Sequence, residues 1–180
     1  MKMPENTYRI QFRPEFGFKE LIKQIPYLKS LGVSHIYASP ILKPVKGSTH
    51  GYDVVDPTQI NPDLGGLEGF EEAIEELHKV GIGWVQDIVP NHMAFHPENV
   101  FLNDIFENGA YSKHYQYFDI NWSHNIFKGQ LLTPFLGDFY EQCLERGELK
   151  LNYGEEGFFV NYWEQKYPVL IETYSEIFTK

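Results

Sequence analysis

The sequence predicts an α/β protein built on parallel strands. Apolar, β-branched runs alternate with helical repeats through residues 7–90, and glycines punctuate the ends of those repeats. Two polar clusters, GSTHGYDVVDP (Gly47–Pro57) and DIVPNH (Asp87–His92), fall at the ends of predicted strands. Alternation of this kind needs crossover helices, as in a (β/α) barrel or a doubly wound sheet. Both architectures keep their chemistry on loops at the C-terminal ends of strands.

The elements follow in order. Thr7–Phe12 (TYRIQF) is β-branched and aromatic and reads as a strand. From Phe18 to Ser30, Leu21, Ile25 and Leu28 recur at helical spacing, Leu31 extends the stripe and Gly32 supplies the stop. Pro26 is expected to kink or restart that helix. Val33–Ser39 is the second strand, closed by Pro40. A loop of almost thirty residues follows, a length usually reserved for function. Glu68–Val80 places Phe70, Ile74 and Leu77 on one helical face, with Glu71, Glu72, Glu75 and Glu76 on others, and Gly81 ends it. Ile82–Val89 is the third strand.

Past Met93 the rhythm fades. A short helix is expected over Pro97–Asn108 and another near Asp138–Arg146. A hairpin from ELKLNY and GFFVNYW turns around Gly154–Gly157, and a final helix falls in ETYSEIFTK. Nine of the 29 aromatic residues lie in residues 1–90 and twenty in 91–180. The chain therefore divides into 1–92, carrying the β/α units, and 93–180, an aromatic-rich subdomain inserted between barrel elements.

Net charge −10 and a pI near 5.1 argue against a nucleic-acid partner, which needs a basic face. No run approaches the roughly 20 apolar residues of a membrane span, and the N-terminus lacks a signal-peptide core. One cysteine, Cys143, forms no internal disulfide and no zinc spacing. The chain reads as soluble and cytoplasmic, with no metal and no cofactor.

Asp87 alternates with Val85 and Gly83, so at the end of an inward-facing strand its carboxylate points into a pocket. Asn91 and His92 follow within reach of the same space. A carboxylate, an amide and an imidazole together suit a ligand rich in hydroxyls. In the earlier loop Tyr52 offers a ring face for the C–H side of a sugar and His50 a donor. Asp53, a candidate substrate-binding residue, and Asp56 are placed to close the pocket's end, by hydrogen bonds to a sugar or by pairing with a basic residue. Asp56, before Pro57, equally suits a turn. Most of the downstream aromatics read as core, with some left to guide a saccharide.

HGYDVVDP followed by DIVPNH resembles the α-amylase family of glycoside hydrolases. With TYRIQF, YLKSLGVSHIYASPIL, GIGWVQDIVPNHMA and LLTPFLGDFYEQCLERGELKL, nearly the whole chain is similar to the maltooligosyl trehalose synthases within it. The resemblance implies the first three β/α units of a TIM (β/α)8 barrel with a subdomain inserted after the third strand. It also implies intramolecular transglucosylation, in which the reducing-end α-1,4 linkage of a maltooligosaccharide becomes α,α-1,1. On the matching positions, Tyr52 stacks on the sugar, His92 bonds its 6-hydroxyl and His50 lines the pocket. Asp87 orders the site and Asn91 is its neighbour. No calcium is expected.

Retaining glycoside chemistry needs a nucleophilic carboxylate and an acid about 5 Å apart. The family places the nucleophile in a DGxRxDH-like segment, which these 180 residues lack; the three arginines are Arg9, Arg13 and Arg146. A (β/α)8 barrel also takes roughly 250 residues. The expectation is an N-terminal piece of a longer enzyme, inactive alone, poorly soluble through its unpaired third strand, and completed by the remainder of its own barrel. The alternatives are an ordinary α-amylase-type hydrolase or transferase acting on α-1,4-glucan, or a chain complete as given that is a non-catalytic saccharide-binding protein.

Overall fold

The computed structural model describes residues 3–127 and 129–179; Met1, Lys2, Lys128 and Lys180 lie outside the description. The chain divides into two compact units, Met1–Ala94 and Phe95–Lys180.

In the first unit, β1 (Thr7–Ile10), β2 (His35–Ala38) and β5 (Gly83–Gln86) form a parallel sheet in the order β1-β2-β5. Arg9 pairs with Tyr37, and Tyr37 with Val85. All three strands are shorter than the apolar runs suggested. The ladder nevertheless continues past them, since Ser39 N–H donates to the Ile10 carbonyl and Asp87 N–H to the Ala38 carbonyl. Helices α1 (Phe18–Ser30) and α2 (Gly66–Lys79) cover one face. Their stripes meet Ile10, Ile36, Ala38 and the ring of Trp84 in one apolar core. Each fully buried Leu, Ile or Phe there contributes about 1.5–3 kcal/mol.

Helix α1 begins where the Glu20 carboxylate accepts the Gly17 N–H at 3.2 Å. A side chain at Gly17 would meet the Leu64 carbonyl oxygen at 2.6 Å, so the close approach of the two segments requires glycine. The expected kink at Pro26 is absent as a break: one helix runs through it. Pro26 lies on the solvent face while Ile25 and Leu28 are buried on the other, and their burial outweighs the lost hydrogen bond. Leu31 does not extend the stripe; it is the exposed C-cap. The innermost line of α2 runs through Gly69, Ala73 and Leu77, with Phe70 and Ile74 only partly buried. Small residues on that line bring α2 close to the Phe18 ring.

The expected long loop contains structure. β3 (Leu42–Pro44) and β4 (Val54–Ile60) form an antiparallel hairpin with irregular register. Pro57 cannot donate to a ladder, and it falls between the paired residues Asp56 and Ile60, where the irregularity tolerates it. The Asp–Pro pair that suggested a turn makes one locally within this bulge, the Asp56 carboxylate accepting the Thr58 N–H two residues on. Asp56 is buried within it and accepts from the Thr58 N–H and hydroxyl and from Gln59 Nε2. Burial pushes the Asp56 carboxyl up, but those donors and Lys43 hold it below the usual carboxylate range.

The second unit contains α3 (Val100–Asn108), capped by the Asn99 side chain, α4 (Tyr140–Glu145) and α5 (Tyr174–Phe178). The expected hairpin is present as β6 (Leu149–Gly154) and β7 (Gly157–Tyr162), and a third strand, β8 (Gln165–Pro168), extends it to an antiparallel meander. Phe95, Phe106, Phe135 and Tyr167 pack ring on ring, with Phe135 and Tyr167 centroids 4.5 Å apart. An apolar cavity of about 770 Å³ lies in this unit, bounded by residues from Ile105 to Leu170.

Candidate functional site

Alternation along the sheet sends Ile36, Ala38 and Trp84 toward the helices and Arg9, Tyr37 and Val85 to the opposite face. Asp87, one residue past β5, keeps that parity. At the C-terminal ends of the three strands these side chains converge on one carboxylate oxygen. Asp87 Oδ2 accepts from Tyr52 Oη at 2.6 Å and Arg9 Nη1 at 3.0 Å, with Tyr37 Oη at 3.5 Å. Arg9 Nη2 also donates to Tyr52 Oη at 3.1 Å, and the guanidinium lies 4.5 Å from the centre of the Tyr37 ring.

The electrostatics follow from that geometry. The Tyr52 hydroxyl holds the Asp87 carboxyl below its usual range; partial burial opposes this and Arg9 and Tyr37 reinforce it. Donating to Asp87 pushes the Tyr52 phenol up, and Arg9 is held still more firmly protonated by Asp87. Asp87 is therefore an anion at neutral pH. Among the described residues its Oδ1 has no donor, which leaves one acceptor for a ligand hydroxyl.

The hairpin delivers Tyr52 to this point. Gly51 has φ +77°, and a side chain there would press on the Pro40 carbonyl oxygen at 3.0 Å. His50 stacks on Tyr52 with centroids 5.9 Å apart. Its Nδ1 accepts the Tyr52 N–H at 3.0 Å.

The structure thus gathers His50, Tyr52 and Asp87. Asp53 is not part of the gathering: it turns back to accept the Ser48 hydroxyl, and its 3.7 Å approach to His50 Nδ1 meets a nitrogen already used as an acceptor. Asn91 and His92 are exposed and bond one another, Nδ2 to Nδ1 at 3.1 Å, rather than the Asp87 cluster. Two members were missed by sequence reasoning. Arg9 and Tyr37 lie 28 residues apart and meet only through strand register; an arginine inside a β-branched and aromatic strand was the available signal. Asp87 itself stands beyond the strand rather than on it.

With this geometry described, comparison with known proteins is informative. The model of the alpha-amylase catalytic domain matches residues 17–168. The chain belongs to the α-amylase family. A crystal structure of a maltooligosyl trehalose synthase superposes with a TM-score of 0.82 at 40% identity, covering 92% of this chain and 22% of that one. The maltooligosyltrehalose synthase of Arthrobacter ramosus superposes at 0.80 and 36% identity, over 94% of this chain and 22% of its own. A Mycobacterium tuberculosis protein provisionally named maltooligosyl trehalose synthase is 41% identical over 139 residues, 73% of this chain and 18% of its own length. The chain spans about a fifth of the length of these relatives. Among the described residues no helix is long and apolar enough to cross a membrane.

Proposed function

We propose that this chain forms the first three β/α units of a (β/α)8 barrel, with the second unit inserted after the third strand, in a maltooligosyl trehalose synthase. The observation that carries the reading is the Asp87-centred cluster at the C-terminal ends of parallel strands, in a chain about 40% identical to such synthases over most of its length. In this reading the reducing-end glucose of a maltooligosaccharide is detached from its α-1,4 linkage and rejoined through α,α-1,1, so the product carries a non-reducing trehalose end. Tyr52 offers its ring to the glucose held at the cleavage point, backed by His50. Asp87, kept anionic by Tyr52 and Arg9, orders the wall with its free oxygen toward substrate hydroxyls. Asp53, Asn91 and His92 complete the binding set, His92 turning from Asn91 toward a 6-hydroxyl. The nucleophile and the proton donor are assigned to residues beyond these 180, in the remainder of the barrel. The enzyme needs no cofactor and works in the cytoplasm.

The test is product analysis on the full-length polypeptide with maltohexaose. Loss of reducing ends without shortening of the saccharide is the expected result. A rise in reducing power identifies an α-1,4-glucan hydrolase and overturns the synthase reading.

A further inference from the structure

Strands β7 and β8 are joined by a two-residue turn, Trp163–Glu164, between the paired residues Tyr162 and Gln165. Trp163 has φ +53° and is the non-glycine residue at positive φ among those described. A two-residue hairpin with positive φ at its first central position follows the type II′ pattern, where glycine normally sits. A bulky aromatic there costs roughly 1–3 kcal/mol of backbone strain. The indole gains little burial in return, because it is 70% exposed. The turn therefore explains the conformation, but burial among the described residues does not explain why a tryptophan occupies it.

The ring is not loosely held. Tyr162 packs against it at 6.4 Å, nearly edge-on, and is itself 9% exposed, with its hydroxyl accepting the Gly137 N–H at 2.9 Å. The other residues of the turn and its flanks are polar. Glu164 is exposed, Gln165 accepts from the Tyr167 hydroxyl, and Asn161 bridges Asn152 and the Gln165 carbonyl. An exposed aromatic face on a turn whose sequence neighbours include Asn161, Glu164 and Gln165 matches a sugar ring, which is apolar on one face and hydroxylated at its edge.

We propose that Trp163 is a stacking platform for a glucosyl unit of an α-1,4-glucan, a binding position additional to the Asp87 cluster. The choice of α-glucan rests on the function proposed above; the platform itself rests on the turn.

The test uses the full-length polypeptide in native gels containing amylopectin, which retards proteins that bind the polysaccharide. Trp163→Gly suits the backbone and should melt at or above the parent temperature, yet bind roughly tenfold more weakly, equivalent to about 1.4 kcal/mol. Trp163→Tyr should retain most of the retardation. Equal retardation of the parent and Trp163→Gly overturns the proposal, as does a lower melting temperature that Trp163→Asn, which tolerates positive φ, also shows. A change in molecular mass by light scattering with unchanged retardation assigns Trp163 to a protein contact and likewise overturns it. Maltohexaose conversion separates the two readings. Retardation through Trp163 without conversion overturns the synthase assignment alone, and conversion without retardation overturns the platform alone.

Discussion

The two units bury their apolar surface differently. In the first, branched aliphatic side chains with Phe12 and Phe18 fill the space between two helices and a parallel sheet. In the second, a cluster of rings packs in tilted and edge-on pairs, and a cavity of about 770 Å³ remains in that unit. The three buried polar atoms without a partner among the described residues, Asn103 Oδ1, His114 Nδ1 and Trp122 Nε1, all belong to the second unit. None of these orphaned buried atoms lies in the unit that carries the Asp87 cluster. The aromatic unit carries the looser interior and, at Trp163, a strained exposed residue.

The contrast can be broken most forcefully at Phe18. It is fully buried and packs against both Phe12 and Phe70. Phe18→Ala should cost about 3–5 kcal/mol, read as a fall in the denaturation midpoint. A loss under about 1 kcal/mol would mean that the first core is no tighter than the second.

Gly83 gives the next largest effect. A methyl group there would stand 2.3 Å from His35 Cδ2 and 2.4 Å from Nε2, and His35 is itself buried. Gly83→Ala should cost about 1–3 kcal/mol alone and far less in a His35→Ala background. Equal costs in both backgrounds would remove His35 as the reason for the glycine.

Arg9 tests the electrostatics. Arg9→Met should cost about 1 kcal/mol at neutral pH, discounted for the exposure of the guanidinium, and should raise the Asp87 titration midpoint seen by carboxyl NMR. The sign follows from the lowered Asp87 value. A carboxyl depressed in the fold lends stability fully above the ordinary range near about 4 and loses it as pH falls through the depressed value. The stability difference between neutral and acid solution should therefore shrink in Arg9→Met; an unchanged difference would remove Arg9 from the network.

Val160→Ala is the smallest expected change. Val160 already faces the cavity of the second unit, so the substitution enlarges an existing space and should cost under about 1 kcal/mol. A cost above about 2 kcal/mol would show the cavity wall to be as unforgiving as the first core.

The helices and parallel strands of the first unit were legible because periodicity reports burial directly: Leu21, Ile25 and Leu28 repeat as a helix must. The β3–β4 hairpin was hidden because Asp56–Pro57 reads as a turn, and β8 because four residues ending in Pro168 carry almost no alternation. Of the cluster, Tyr52, His50 and Asp87 were found from residue type and position past a strand.

The sequence by itself determined the α/β class, the helical faces and the two polar segments, since these depend on spacing within a single element. Only the tertiary structure decided that Arg9 and Tyr37 join Asp87, that Asp53 turns away to Ser48, and that Asn91 and His92 pair with each other. Those outcomes depend on strand register and loop closure, and no local pattern of residues encodes either.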